Sequence, residues 1–312
     1  MTKQKQLLLV PAVIATGMMS FAGVLIETAM NVTFPTLIRQ FDLTTAQVQW
    51  VTTIYLLMIS IIVPLSTYLN RNFSLKKLFL ASNLLFLAGI MIDFFSPTFM
   101  VLLFGRLLQG AATGIALPLM FHIILTFAPL NRRGAMMGVG TLTTAIAPAI
   151  GPTYGGIMTS HFTWNHIFLF LVPVLILSLI IGWFAIPEMA VQKSGYLDWI
   201  SVLGICLLFS GSLTFLSTLG TVSSWIALII GGIGWFLFYY RSKKVEHPLI
   251  RLSILSNKTF RLFLIGFLVY QFLLLGVSFV LPNFLQIVQG SSPFVAGLAM
   301  LPGAAVGALL SP

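Results

Sequence analysis

Residues 104–119 read FGRLLQGAATGIALPL. With its flanks this is an apolar run long enough to cross a bilayer, yet Arg106 lies inside it. A charge at that depth costs several kcal/mol on insertion scales and persists beside a partner or an aqueous cavity. Small residues follow at Gly110, Ala111, Ala112, Gly114 and Ala116, and small residues let a neighbouring helix approach closely. Two readings stay open at this point. Arg106 faces a polar pathway while the glycine face packs, or it belongs to a buried structural ion pair.

Composition agrees with a membrane setting. Of 312 residues, 58% are hydrophobic and 7% charged, against roughly 25% charged in soluble domains. The apolar runs are about 20 residues long and do not alternate, which points to helices rather than a barrel. The expected class is therefore an all-α integral membrane protein. Ten runs can be marked, at 8–37, 47–69, 76–95, 99–127, 136–158, 165–186, 199–219, 223–240, 260–288 and 293–312. The first is too long for the apolar core of a signal peptide, so it reads as a retained span. Cys206 is alone, so neither a disulfide framework nor a cysteine metal cluster is expected.

The net charge of +10 raises the question of nucleic acid, and the location of the charges answers it. Of the 16 lysines and arginines, all but Arg39 and Arg106 lie on the side reached after an even number of crossings. They include Lys3, Lys5, Arg71, Lys76, Lys77, Arg132, Arg133, Lys193 and the set from Arg241 to Arg261. That bias puts the N-terminus in the cytoplasm and accounts for the charge as membrane orientation, with no nucleic-acid partner. The connection from Arg241 to Arg261, with Glu246, His247 and Pro248, is the longest and reads as a surface linker between halves, with an amphipathic piece around Pro248. The last run reaches Pro312 with nothing to anchor it, and the expectation is an incomplete copy of a longer protein.

Glu27 is the other charge deep in a span. It lies about 19 residues into the first crossing and Arg106 about 10 into the oppositely running fourth, so at about 1.5 Å per residue both fall at similar depth in the outer half. Desolvation disfavours the charged form of a carboxylate, which makes Glu27 a candidate proton carrier with Arg106 as its electrostatic counterweight; the plain alternative is a permanent ion pair. Asp93 reads as a solvated helix terminus. His161 and His166 flank Trp164 as an interfacial belt, and the four histidines lack metal-ligand spacing. Pro148 and the stretch Gly151-Pro152-Thr153-Tyr154-Gly155-Gly156 should bend or loosen the fifth span. Polar side chains at Gln47, Gln49, Tyr55, Gln271, Asn283 and Gln286 are candidates to line a route. There is no phosphate-binding loop signature, so uphill transport would draw on an ion gradient. No nucleophile–base set suggests an enzyme.

Several stretches together resemble the drug:proton antiporter-2 branch of the major facilitator superfamily, whose members have fourteen spans. The stretch from Glu27 to Pro35, with Asn31 inside it, is similar to the first-span motif, with Glu27 where an aspartate is usual. Gln49-Trp50-Val-Thr-Thr-Ile-Tyr55 resembles the second span. Arg106-Leu-Leu-Gln109-Gly110 resembles the fourth-span arginine motif, tied in the family to proton coupling. The run from Gly151 to Gly156 resembles the fifth-span antiporter motif, and Leu281 to Gln286, Ser292 to Gly297 and Leu301-Pro302 resemble the ninth and tenth spans.

The resemblance implies a major-facilitator-type bundle with about ten of fourteen helices present. It divides the chain into an N-terminal six-helix bundle (1–190), an extra central pair (191–245) and the start of a C-terminal bundle (246–312). It implies proton coupling at Glu27 and Arg106, and a substrate pathway with Asn31, Tyr55, Gln109 and Gln271. Conformational packing falls to Gly110, Gly114, Pro148, Gly151, Pro152, Gly155 and Gly156, and a cytoplasmic gate to Asn70 and Arg71. The gate motif departs from the family form G-x-x-x-D-R-x-G-R-[RK], because Asn70 stands in the acid's place and both glycines are gone. The expected function is proton-driven export of drugs or other amphipathic or cationic molecules across the cytoplasmic membrane, with no cofactor. The alternative class is a non-transporting sensor or partner subunit, and a passive channel finds no filter-like loop to support it.

Overall fold

The structure, a computed structural model, describes residues 8–189, 191, 196–245 and 248–309. The expectations on Lys3, Lys5, Lys193, Glu246, His247 and Pro312 lie outside the described residues. In chain order the helices are α1 Leu9–Phe41, α2 Thr45–Val48, α3 Trp50–Asn72, α4 Leu75–Phe94, α5 Phe99–Phe127 and α6 Leu130–His161. They continue with α7 His166–Leu169, α8 Val172–Ala185, α9 Trp199–Ser217, α10 Val222–Lys244, α11 Lys258–Ile287 and α12 Pro293–Leu309. A short 3₁₀ turn, Leu252–Ser256, leads into α11. Among the described residues there is no strand, and nine stretches are long and apolar enough to cross a membrane. The short helices α2 and α7 run on into α3 and α8 to complete two of them. The tenth expected run is α12, helical over 17 described residues.

Local chemistry places the boundaries. α1 ends at Asp42, whose backbone is left-handed (φ 51°) and whose N–H bonds back to the Ile38 carbonyl. Thr44 then opens α2 through a reciprocal capping box with Gln47. Ser74, Thr98, Asp198 and Asn257 cap α4, α5, α9 and α11, each accepting a bond from a backbone N–H that has no partner inside the helix.

α1 is the axis of the first eight helices and packs along α5, α6 and α8. It has no polar face, and 61% of its most apolar window is buried inside the protein. Around it, α3 and α4 both pack on α5, and α4 also meets α8. One apolar cluster gathers Met19, Ile26, Met30, Phe34, Phe86, Leu102 and Phe168; a second gathers Val13, Phe79, Met120, Ile123 and Ala185 toward the other end. Asn83 donates to the Ser178 hydroxyl at 3.1 Å, and Ser178 donates to the Ala15 carbonyl at 2.8 Å, which fastens α4, α8 and α1 to one another.

The remaining helices attach in two places. α9 and α10 form a hairpin that touches α3. Gly204, Gly211 and Gly234 press on the partner backbone there, and Asp198 holds Arg241 through paired bonds of 2.9 and 3.1 Å at the open end. α12 packs along α6, and α11 reaches α1 and α12. The Pro–Gly stretch expected to bend or loosen the fifth span lies inside α6, which is helical over 32 residues with Pro148 and Pro152 within it.

Candidate functional site

Arg106 is the largest fully buried side chain among the described residues, and the surrounding helices are shaped to hold it. Its Nε donates to the Val51 carbonyl on α3 at 3.1 Å, and Nη1 donates to Gln109 Oε1 at 2.8 Å. The guanidinium lies 4.3 Å over the ring of Tyr55, a cation–π contact that gains strength when desolvated. The single hydroxyl proton of Tyr55 is shared between the Gly23 carbonyl (2.9 Å) and the Thr113 hydroxyl oxygen (2.8 Å), and Thr113 donates to the Gln109 carbonyl (3.0 Å). One polar net thus ties α1, α3 and α5. Nη2 of Arg106 has no hydrogen-bond partner among the described residues.

The net depends on glycines. A Cβ on Gly23 would lie 2.6 Å from the Thr113 hydroxyl, and one on Gly110 would lie 2.5 Å from the Tyr55 carbonyl. Real carbons do not approach so closely, so α1 and α3 meet α5 at this depth only because those side chains are absent. Gly114 continues the contact against Ile62.

Glu27 stands one helical turn from Gly23 on the same face of α1. Its charge lies within electrostatic reach of Arg106, but the two form no ion pair. Its carboxylate has no hydrogen-bond partner in the described protein and keeps 8% of its surface open. The permanent Glu27–Arg106 salt bridge, the plain alternative from sequence, is not formed among the described residues. Asn31, a further turn along, accepts a long bond from Thr52 (3.4 Å), and its carbonyl accepts one from Asn283 of α11 (3.4 Å).

Asp93 corrects the sequence reading. It is not solvated. It is fully buried near the end of α4, where Oδ2 accepts a 2.8 Å bond from Gln109 Nε2. Gln109 therefore bridges the cation and this carboxylate. The signal available in the sequence was spacing: Gly89 and Asp93 on α4 and Gly105 and Gln109 on α5 each lie four residues apart, so each pair shares a helix face.

Residues 15–312 match the family model described as the Major Facilitator Superfamily. The chain belongs to that superfamily. It is 36% identical over 309 residues to the lincomycin resistance protein LmrB of Listeria monocytogenes, covering 97% of this chain and 65% of that protein. It is 33% identical to LmrB of Bacillus subtilis, covering 99% and 66%, and 27% identical to the putative multidrug resistance protein MdtD of Pectobacterium atrosepticum, covering 90% and 61%. The chain thus spans about two thirds of the length of these relatives. A solved peptide transporter, POT in complex with sulfate, shares the fold with a TM-score of 0.63 at 13% identity over 93% of this chain and 65% of that one. The superfamily is one of multi-pass membrane transporters and not an enzyme family, and relatives named for lincomycin and multidrug resistance agree with the drug:proton antiporter branch.

Within this facilitator fold the other sequence candidates fall in four places. Tyr55 and Gln109 are fully enclosed in the Arg106 net, whereas Gln271 is half-buried on α11. Gln271 lies 12 residues from Asn283, about 18 Å along the helix. The Gly–Pro stretch of α6 is a packing seam. A Cβ on Gly155 would collide with the Ala29 carbonyl of α1, and one on Gly156 with the Pro293 carbonyl of α12; Gly151 abuts Thr28. Asn70 and Arg71 end α3, Arg71 with its side chain exposed. Beyond them Lys77 pairs with Glu188 at 3.2 Å, both exposed, and Lys76 lies 4.5 Å over Trp183 of α8. An exposed pair of this kind contributes about 0–1 kcal/mol.

Proposed function

We propose that the protein is a proton-coupled exporter of amphipathic or cationic small molecules, working in the cytoplasmic membrane with its N-terminus inside. The observation that carries this reading is Glu27: a carboxylate set among apolar helices, open on one edge, beside a buried arginine and bonded to neither it nor any other group. A carboxylate so placed can take up and lose a proton without first breaking a salt bridge. Proton uptake at Glu27 from the outer side, and release on the inner side after the helices rock, would drive substrate the other way. Gly151, Gly155 and Gly156 give the rocking elements close, side-chain-free contact. The relatives named for lincomycin and multidrug resistance support a drug-like substrate class, and the lysine–arginine bias supports the orientation.

The test is proton release when substrate binds. Purified protein in weakly buffered detergent should release protons on addition of a lipophilic cation, and Glu27→Gln should release none. Equal release by both proteins would remove Glu27 from the mechanism.

A further inference from the structure

Asp93 is a second acid in the Arg106 site, and the coupling reading above does not use it. Its seat is built into two helices. A Cβ on Gly105 would fall within bonding distance of Asp93 Oδ1, and one on Gly89 would lie 2.8 Å from the Gln109 side chain. Only glycine at both positions lets the carboxylate press on the α5 backbone and Gln109 reach it. On the two sides of the Gln109 bridge, Asp93 Oδ1 and Arg106 Nη2 are left as an unpartnered acceptor and an unpartnered donor. Arg106 lies within electrostatic reach of Asp93 and of Glu27. One buried cation therefore lies near two acids, of which only Glu27 has an open edge.

We propose that Asp93 is a positioning residue for proton binding: it serves as the counter-ion of Arg106 when Glu27 is protonated, and thereby sets the pH at which Glu27 loads. This rests on the reading of Glu27 as the proton carrier. The charge balance is direct. With Asp93 ionised, Arg106 is neutralised whether or not Glu27 carries a charge, so a proton from water at Glu27 leaves no bare cation in the core. Without Asp93, the Glu27 carboxylate becomes the sole counter-charge, and loading it strands Arg106. Few other groups enter this balance. Tyr55 faces the site from α3, and His166 of α7 packs 5.6 Å from the ring of neighbouring Phe94. α8 has no titratable side chain, and Tyr154 of α6 is turned away to bond the Ile167 carbonyl.

Infrared pH titration of the purified protein tests this. The carboxyl C=O band that disappears in Glu27→Gln reports Glu27. In Asp93→Asn, which keeps an acceptor for Gln109, the midpoint of that band should move to lower pH by about one unit or more, the size of a lost neighbouring charge. An unmoved midpoint, as a purely structural Asp93 would give, or a move to higher pH, overturns the proposal. A second measurement needs no variant. With isotope-labelled aspartate only Asp42, Asp93 and Asp198 are visible; Asp42 is exposed and Asp198 is paired with Arg241. No protonated aspartate band should appear at neutral pH, and its appearance would show Asp93 to be neutral and the proposal wrong. If no Glu27 band titrates, the coupling reading fails on that result, and the aspartate band still decides whether Asp93 is the counter-ion.

Discussion

Gln109 is the residue on which the buried net turns, since its amide is bonded to a cation on one side and a carboxylate on the other. Gln109→Ala would leave Nη1 of Arg106 and Oδ2 of Asp93 without their bonds, each at a cost of about 1–3 kcal/mol. Thermal unfolding in detergent should therefore show a clear fall in midpoint for this variant, and Gln109→Glu should not restore it, because a third acid would replace the donated bond with repulsion at Asp93. A midpoint equal to wild type would mean that the net is idle. Glu27 and Arg106 were legible from sequence because a charge among apolar residues is conspicuous wherever it points. Asp93 was not, because it is the penultimate residue of its helix; position along a helix is readable from a sequence, whereas the side to which a residue faces is set by packing. Thr113 was missed for the same reason, as a small polar residue among alanines.

At the scale of helices, glycine position separates contact from open surface. Gly155→Leu should force α6 off α1, costing about 1–3 kcal/mol by overpacking and slowing transport with it. Gly138→Ala, on the same helix with nothing within 4 Å of the added carbon, should be neutral or stabilising by up to about 1 kcal/mol from helix propensity. Equal thermal shifts for the two would refute the seam. The α9–α10 hairpin offers a pH test. Burial by itself would raise the Asp198 carboxyl, but hydrogen bonds from Arg241 and Ser201, together with the Arg241 charge, outweigh it and hold the group below the usual carboxylate range. A group lowered in the folded state stabilises fully above its unfolded value, and that contribution is lost as pH falls through the folded one. Amide exchange at the start of α9 should accelerate in that acid window in wild type. In Asp198→Asn, which can still cap the helix, it should be fast at neutral pH as well. Asp198→Ala should lose a further ~1 kcal/mol with the cap. Helix spans were readable to within a few residues from apolar length and turn residues such as Asp42 and Thr44. The seam on α6 was not, since Pro148 and Pro152 forecast only a bend or loosening, and the faces that Gly155 and Gly156 turn to α1 and α12 are set by packing.

For the whole molecule the account comes down to one exchange, a proton taken up at Glu27 against a substrate moved outward. Exchange of one proton for one monovalent cation moves no net charge, so it should run on a pH difference alone. A neutral substrate should add a voltage term of about 2.3 kcal/mol per 100 mV. The most direct measurement is substrate-driven proton flux in proteoliposomes containing the protein or its Glu27→Gln variant, with the membrane potential clamped. The account predicts that a lipophilic cation drives proton movement in the wild type and that the variant abolishes it. Undiminished proton flux in the variant would contradict it.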